Sequence, residues 1–366
     1  MYIHELEKWP HLHWQQEILA VKLGEVRHRQ GKILGHMEAL GFPLQEEAML
    51  NTLTLDILKT NEIEGELLNP DQVRSSVARK LGMDIPGLIP ADRNVEGIVE
   101  MMLDATQHYK QPLTEERLFD WHAAMFPTGR SGMYKIIVGG WRDESKGPMQ
   151  VISGSAGKEE VHFEAPHANL ISKEMKLFLD WLNADNGIDP VLKSGIAHLW
   201  FVTIHPFVDG NGRIARAIAD MQLCRADMTN QRFYSMSAQI RLERSAYYKI
   251  LERTQRGGLD ITKWLEWFLD CLDRTLHATE NILSLVLRKA RYWDKHRTAI
   301  LNMRQRYMIN KLFDGFEGHL NTSKWAKMTK CSQDTALRDI QDLVEKDMLE
   351  KAPSAGRNTH YMLKLP

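Results

Sequence analysis

The chain has 366 residues, 43% of them hydrophobic and 26% charged, a composition that excludes a disordered or collagen-like polypeptide. Its net charge of −1 excludes a chain that is polycationic throughout, and its length predicts two or three domains. The charge is uneven: residues 288–366 hold 16 Lys+Arg against 9 Asp+Glu, a balance of +7, which leaves −8 to the rest. The three cysteines (Cys224, Cys271, Cys331) form no CxxC pair, so neither a disulfide framework nor a cysteine-based zinc site is expected. The charged start, residues 1–8, has no apolar h-region, and no apolar run approaches the roughly 18 residues of a membrane span. A reduced, cytoplasmic setting without a membrane segment is the expectation.

In chain order, residues 14–37 read as a long amphipathic helix ended by Gly41-Phe42-Pro43. A second helix runs over 45–64, with Leu50, Leu53, Leu55, Ile57 and Leu58 as apolar positions and Gly65 as stop signal. Asn69-Pro70 opens a third, as cap and first helical residue; 86–90 is a loop, and 92–108 a fourth helix. A fifth runs from Thr114 to Met125. The Gly- and Ser-rich stretch 127–166 changes rhythm, and its runs 149–152 and 161–164 predict a β-hairpin. Helices resume at 167–183, 190–203, 213–225, 245–256 and 261–285. The tail predicts a helix at 322–329, a turn at 331–333, a helix at 334–347, and strands at Leu349 and 361–363 flanking Pro353-Ser354-Ala355-Gly356-Arg357. Helix, turn, helix, hairpin is the order of a winged helix.

One segment carries chemistry: His205-Pro206-Phe207-Val208-Asp209-Gly210-Asn211-Gly212-Arg213-Ile214-Ala215-Arg216. Gly210 and Gly212 let backbone N–H groups turn inward as an anion nest, and the helix starting near Gly212 points its N-terminus to the same place. Arg213 and Arg216, three apart, share a face of that helix. Asp209 has no obvious duty except to hold a divalent cation between phosphates. His205 stands where a base working near neutral pH would stand. The sum is a polyphosphate site with a base beside it and no protein nucleophile, so the attacking group comes from outside. A Walker loop, Gly-x4-Gly-Lys-Ser/Thr, is absent. Each piece alone is common; nine fixed letters in twelve arise by chance below about once in 10^9 at such length.

The segment resembles the signature of the Fic family, HPFx(D/E)GNGRxxR, in every fixed position. The resemblance implies a mainly α fold, a Fic-type helical core with a β-hairpin flap, here followed by a C-terminal winged helix-turn-helix domain. It divides the chain into an N-terminal helical region, 1–112, a Fic core, 113–285, and a linker helix with the winged-helix domain, 286–366. It implies transfer of AMP from ATP to a target protein's hydroxyl side chain, with His205 as base, Asp209 holding Mg²⁺, Gly210, Asn211 and Gly212 on the α/β phosphates, and Arg213 and Arg216 on the outer ones. Phe207 would anchor the loop. Kinase-like relatives of the Doc type have Lys where Gly212 stands, so the intact GNGR favours nucleotidyl transfer. Gly140-Trp141-Arg142, Val151 and Val161-His162-Phe163 resemble the flap that holds an extended target segment by strand addition. Residues 244–251 resemble the helix that packs on adenine, which would put Tyr248, Leu251 and Gln255 at the base.

Glu64 ends a helix just before Gly65, where a carboxylate opposes the helix dipole at a cost of some tenths of a kcal/mol and seeks a cation. Thr60-Asn61-Glu62-Ile63-Glu64-Gly65 resembles the Fic inhibitory motif (S/T)xxxE(G/N), which implies that Glu64 pairs with Arg216 and restrains the enzyme. The alternatives are a DNA-binding regulator with the Fic core as nucleotide sensor, a Fic enzyme using another nucleotide, or one that also removes AMP. The basic tail raises DNA as a partner, although its second helix carries Asp334, Asp339, Asp342, Glu345 and Asp347 against Arg338 and Lys346. A homodimer and self-modification are further expectations, and the first ~40 residues, with Tyr2, Trp9 and Trp14, look like the helical extension of Fic proteins with such a tail.

Overall fold

The computed structural model describes residues 1–38, 41–83, 87–145, 147–153, 160–313, 316, 318–352 and 359–365. The chain divides into two compact units, Met1–Thr279 and Glu280–Pro366. Among the described residues no helix is long and apolar enough to cross a membrane.

In the first unit, α1 (Gln16–Glu38) buries Leu19, Leu23, Val26, Gln30, Ile33 and Met37, a stripe at three- and four-residue spacing. Next comes α2 (Phe42–Ile63), which starts earlier than the sequence suggested. Gly41 is its N-cap and Pro43 sits in its first turn, where a missing N–H costs nothing, so Gly41-Phe42-Pro43 opens a helix as well as following one. Then follow α3 (Pro70–Lys80), capped by Asn69 Oδ1 accepting from Asp71 and Gln72 N–H, α4 (Arg93–Gln107) and α5 (Glu115–Met125), capped by Thr114. Gly97 makes α4 and α5 touch: a Cβ there would lie 1.7 Å from the Ala124 carbonyl oxygen.

Two hairpins follow, β1 (Arg130–Ser131) with β2 (Tyr134–Lys135), and β3 (Gln150–Ser153) with β4 (Glu160–Glu164), both antiparallel. The first was not expected, since two-residue strands leave no period to read. Val151 opposes Phe163, with a register shift before Ile152. The N-terminal segment braces the second hairpin, where Tyr2 meets Phe163 edge-on at 5.1 Å, and also reaches the helix that follows it, Trp9 Nε1 donating to Glu174 at 2.8 Å.

The core is built on α6 (Ile171–Asn183), α7 (Pro190–Ile204) and α8 (Asn211–Asp227). Every residue of α7 from Val191 to Ile204 is buried, and α8 packs along it. The unexpected α9 (Met236–Leu242) precedes α10 (Arg244–Gln255) and α11 (Thr262–Lys295), which runs ten residues beyond its expected end. Gly195 lets α7 approach α11, since a Cβ there would stand 3.0 Å from the Phe268 ring.

The second unit holds α12 (Met303–Phe313), α13 (Thr322–Thr329), α14 (Gln333–Glu345) and the hairpin of β5 (Leu349–Lys351) with β6 (Tyr361–Leu363). Tyr292, Met308, Trp325, Ile340, Leu343 and Leu349 form its core. This element order is compatible with a winged helix-turn-helix; the wing residues Pro353-Ser354-Ala355-Gly356-Arg357 lie outside the described residues. One acidic residue of α14 does not face outward. Asp339 is buried and accepts from Arg304 Nε at 2.7 Å and Asn302 Nδ2 at 2.8 Å. Part of the tail's positive charge is thus spent within its own core.

Candidate functional site

The site forms where α7 ends and α8 begins. His205 terminates α7 in the left-handed region, φ 51°, a conformation costly for a residue with a Cβ. It is held there from outside: Arg142 Nε donates to the His205 carbonyl at 2.8 Å, and Arg142 N–H to that of Pro206 at 2.9 Å. Arg142 is itself buried, which lowers its pKa to about 10. Phe207 is fully buried and stacks on His122, with ring centroids 4.2 Å apart and planes 7° from parallel. Asn211 closes the loop: its Nδ2 donates to the Phe207 carbonyl and its Oδ1 accepts from Phe207 N–H, both at 2.9 Å.

Gly210, with φ 85°, caps α8, and a Cβ there would stand 2.8 Å from Met125 Cε. The N–H groups of Asn211, Gly212 and Arg213 fall in the helix's first turn, where no intrahelical carbonyl precedes them. They form the anion cradle. The Asn211 side chain is committed to Phe207, so only its backbone can serve a phosphate, a division of labour that the spacing did not reveal.

His205 is half-buried, and its Nδ1 lies 3.2 Å from the Val202 carbonyl. A carbonyl only accepts, so Nδ1 carries the proton and Nε2 is left as the basic atom. Burial, aided by the charge of Arg142, lowers its pKa to about 4 against the opposing pull of the Val202 carbonyl and of Glu64 and Asp209. His122 behind the loop resembles it: its Nδ1 accepts from Gly139 N–H and its Nε2 donates to the Asp209 carbonyl, both at 3.2 Å, and burial lowers its pKa to about 4.

The Asp209 side chain is 40% exposed. One oxygen accepts from Gly210 N–H at 2.6 Å and the other from Ser131 Oγ on β1. Among the described residues no three metal-ligating side chains cluster. A lone carboxylate beside an anion cradle fits Mg²⁺, which completes its shell with phosphate oxygens and water.

Arg216 and Arg213 are each 2% exposed. Arg216 Nε donates to Thr60 Oγ1 (2.6 Å), and its Nη2 to the Thr60 carbonyl (2.9 Å) and Glu64 Oε1 (2.7 Å). Among the described residues its buried Nη1 has no hydrogen-bond partner. Burial is the largest influence and opposes its charge, but the Glu64 carboxylate together with Tyr247 and Tyr248 raises its pKa. Arg213 Nη1 donates to Glu66 Oε2 at 2.6 Å, and the guanidinium lies over the Phe126 ring. A Cβ on Gly212 would fall 2.2 Å from Glu64 Oε1, so the Glu64 carboxylate occupies the cradle. There it gains from α8 the dipole that its own helix end denies it.

Tyr248 Oη donates to Glu64 Oε2 at 3.3 Å, and its pKa is raised by burial and by that carboxylate. Gln255 Nε2 donates to Thr203 Oγ1 at 3.3 Å, beneath His205. Leu251 and Gln255 are buried on the same helix. On the flap, Gln150 and Ile152 line a groove with Ile136, Ile137, Met149 and Val208, whereas Val151 turns to the other face, as strand alternation requires. Glu66, His122, Ser131 and Arg142 stand beside the loop; Arg142 was named in the sequence only with the flap, Glu66 lay two residues after Glu64, and His122 and Ser131 had no signal.

Residues 112–223 match the Fic/DOC family, and residues 2–83 match a domain of unknown function, DUF4172. The protein adenylyltransferase Fic of Drosophila willistoni is 36% identical over 104 residues, which is 28% of this chain and 19% of that protein. The Drosophila melanogaster protein of the same name is also 36% identical over 104 residues. The chain thus spans about a fifth of the length of these relatives. A Fic family protein from Desulfovibrio desulfuricans G20 shares the fold with a TM-score of 0.55 at 20% identity, over 96% of this chain and 97% of its own. A Fic domain containing signaling protein from Bacteroides thetaiotaomicron gives 0.50 at 21% identity, over 70% and 97%.

Proposed function

Since this is a Fic family protein through residues 112–223, we propose that it is a protein adenylyltransferase restrained by Glu64. The observation that carries the reading is a histidine whose Nδ1 is held by the Val202 carbonyl and whose Nε2 has no hydrogen-bond partner among the described residues, beside a cradle that holds two buried arginines.

His205 Nε2 accepts the proton of a target hydroxyl as its oxygen bonds to the α-phosphorus of ATP. The bond to the bridging oxygen breaks, and pyrophosphate leaves. The first-turn N–H groups of α8 and the two guanidinium groups hold the phosphates, where donors aimed at developing charge contribute most. Asp209 would hold Mg²⁺, which neutralises phosphate charge. Tyr248, Leu251 and Gln255 form the base side of the site. An extended target segment, or a second copy of this chain in self-modification, pairs with the outer edge of β3, which among the described residues pairs with β4 alone. With Glu64 over Gly212 and on Arg216, the γ-phosphate position is taken and the α-phosphate is misaligned.

The test is mass spectrometry of Glu64→Gly protein incubated with ATP, UTP, GTP or CDP-choline and a cell lysate, with Glu64→Gly/His205→Ala as control. An AMP adduct that requires His205 supports the reading. No adduct in any arm overturns it, and labelling by another nucleotide replaces ATP as the donor.

A further inference from the structure

Two carboxylates from the end of α2, not one, reach the arginines of α8. Helix α2 closes in a Schellman turn: Gly65 N–H donates to the Glu62 carbonyl (3.2 Å) and Glu66 N–H to that of Asn61 (3.0 Å). Gly65 sits at φ 87°, the left-handed conformation such a turn needs. The turn sets Glu64 and Glu66 on either side of one glycine. Across from them, Arg213 and Arg216 stand three apart on one face of α8, and the pairs match: Glu64 Oε1 to Arg216 Nη2 at 2.7 Å, Glu66 Oε2 to Arg213 Nη1 at 2.6 Å.

We propose that Glu66 is a second carboxylate of the restraint, occupying the guanidinium that would take an outer phosphate. This rests on the reading that the cradle binds a nucleoside triphosphate. Glu66 is 47% exposed, whereas the nitrogen it meets belongs to a guanidinium 2% exposed, so the contact is not an ordinary surface ion pair. The same nitrogen has only a long second acceptor, Asn61 Oδ1 at 3.4 Å, and Asp209 stands 3.8 Å from Nη2. With both pairs formed, two positive charges face two negative ones, and a polyphosphate meets a cradle whose charge is already balanced. Removing Glu64 alone frees Arg216 and leaves Arg213 engaged. Glu66 therefore acts on nucleotide affinity, while Glu64 also governs the alignment of the α-phosphate.

The test compares full-length wild type, Glu66→Gln, Glu64→Gly and Glu64→Gly/Glu66→Gln. Affinity is read by displacement of a fluorescent ATP analogue, and transfer by kcat and KM for ATP. Glu66→Gln in the Glu64→Gly background is expected to tighten ATP by about three- to tenfold, with KM falling and kcat unchanged. Glu66→Ala must show the same direction, which separates lost charge from lost packing, and thermal unfolding checks that each variant is folded. Unchanged or weaker ATP binding in both backgrounds overturns the proposal, because a merely structural Glu66 would hold Arg213 in place for the phosphate. If Glu64→Gly transfers AMP while Glu66→Gln changes nothing, this inference fails and the adenylyltransferase reading stands. If ATP tightens while no variant transfers AMP, the reverse holds.

Discussion

Glu64→Gly removes the carboxylate that lies on Gly212 and bonds Arg216. A charge-assisted hydrogen bond to a buried group is worth about 1.5–3 kcal/mol. Glu64 is 30% exposed, so the lower part of that range applies, about 2 kcal/mol. On the adenylyltransferase proposal, ATP must displace this contact to bind productively. At about 1.4 kcal/mol per factor of ten, its loss tightens ATP about 30-fold and raises labelling at subsaturating ATP by the same factor. Arg216 keeps its two bonds to Thr60, so the variant still folds, with about 2 kcal/mol less stability. The assay is incorporation from radiolabelled ATP, beside a denaturant curve. Equal labelling of the two proteins at subsaturating ATP would refute the reasoning, and so would unchanged ATP affinity.

Four further outcomes are expected. His205→Ala in the Glu64→Gly background abolishes transfer yet leaves ATP binding within about threefold, measured by calorimetry; surviving transfer removes His205 as the base. The pKa of His205 is lowered to about 4, so its basic form persists above that pH, and the Glu64→Gly rate should show no histidine limb near 6.5 and fall only as pH drops towards 4. Because His122 and His205 (each about 4) and His198 (about 3) lie below the unfolded value of 6.5, the unfolded chain binds more protons than the native one below that pH. Stability is then lost as pH falls from about 6.5, each histidine contributing up to about 1.4 kcal/mol per unit; equal denaturant midpoints at pH 7 and 5 would contradict this. Gly212→Ala places a Cβ 2.2 Å from Glu64 Oε1 and also in the cradle, so it loosens the restraint without activating: ATP binding should fall at least tenfold in a displacement assay, whereas wild-type affinity would mean that the cradle is elsewhere.

Much of the fold was legible because it rests on local signals. Asn69-Pro70 and Thr114 announced their helices, and the stripe from Leu19 to Met37 announced α1. Elements without such a signal were missed: β1 and β2 are two residues each, α9 is a seven-residue helix, and α11 has no break at its expected end. The strand of Val151 was legible, while the groove lined by Gln150 and Ile152 beside it was not, because its other walls come from residues 135–149 and Val208. In the tail, counting acidic residues on α14 overstated its outward negative charge, since Asp339 turns inward to Arg304.

The sequence by itself determined the chemistry of the loop. His205, Asp209, the two glycines and the two arginines lie within twelve residues, so chain connectivity alone brings them together. It also determined that Glu64, at a helix end, needed a positive partner. Tertiary structure decided which groups surround that loop: Arg142 holding His205 in a left-handed conformation, His122 beneath Phe207, Ser131 on Asp209, and α2 laid so that Glu64 and Glu66 each meet one arginine. Those contacts join residues 63 to 152 positions apart, and a distance of that kind is fixed by how helices pack, not by any periodicity within them.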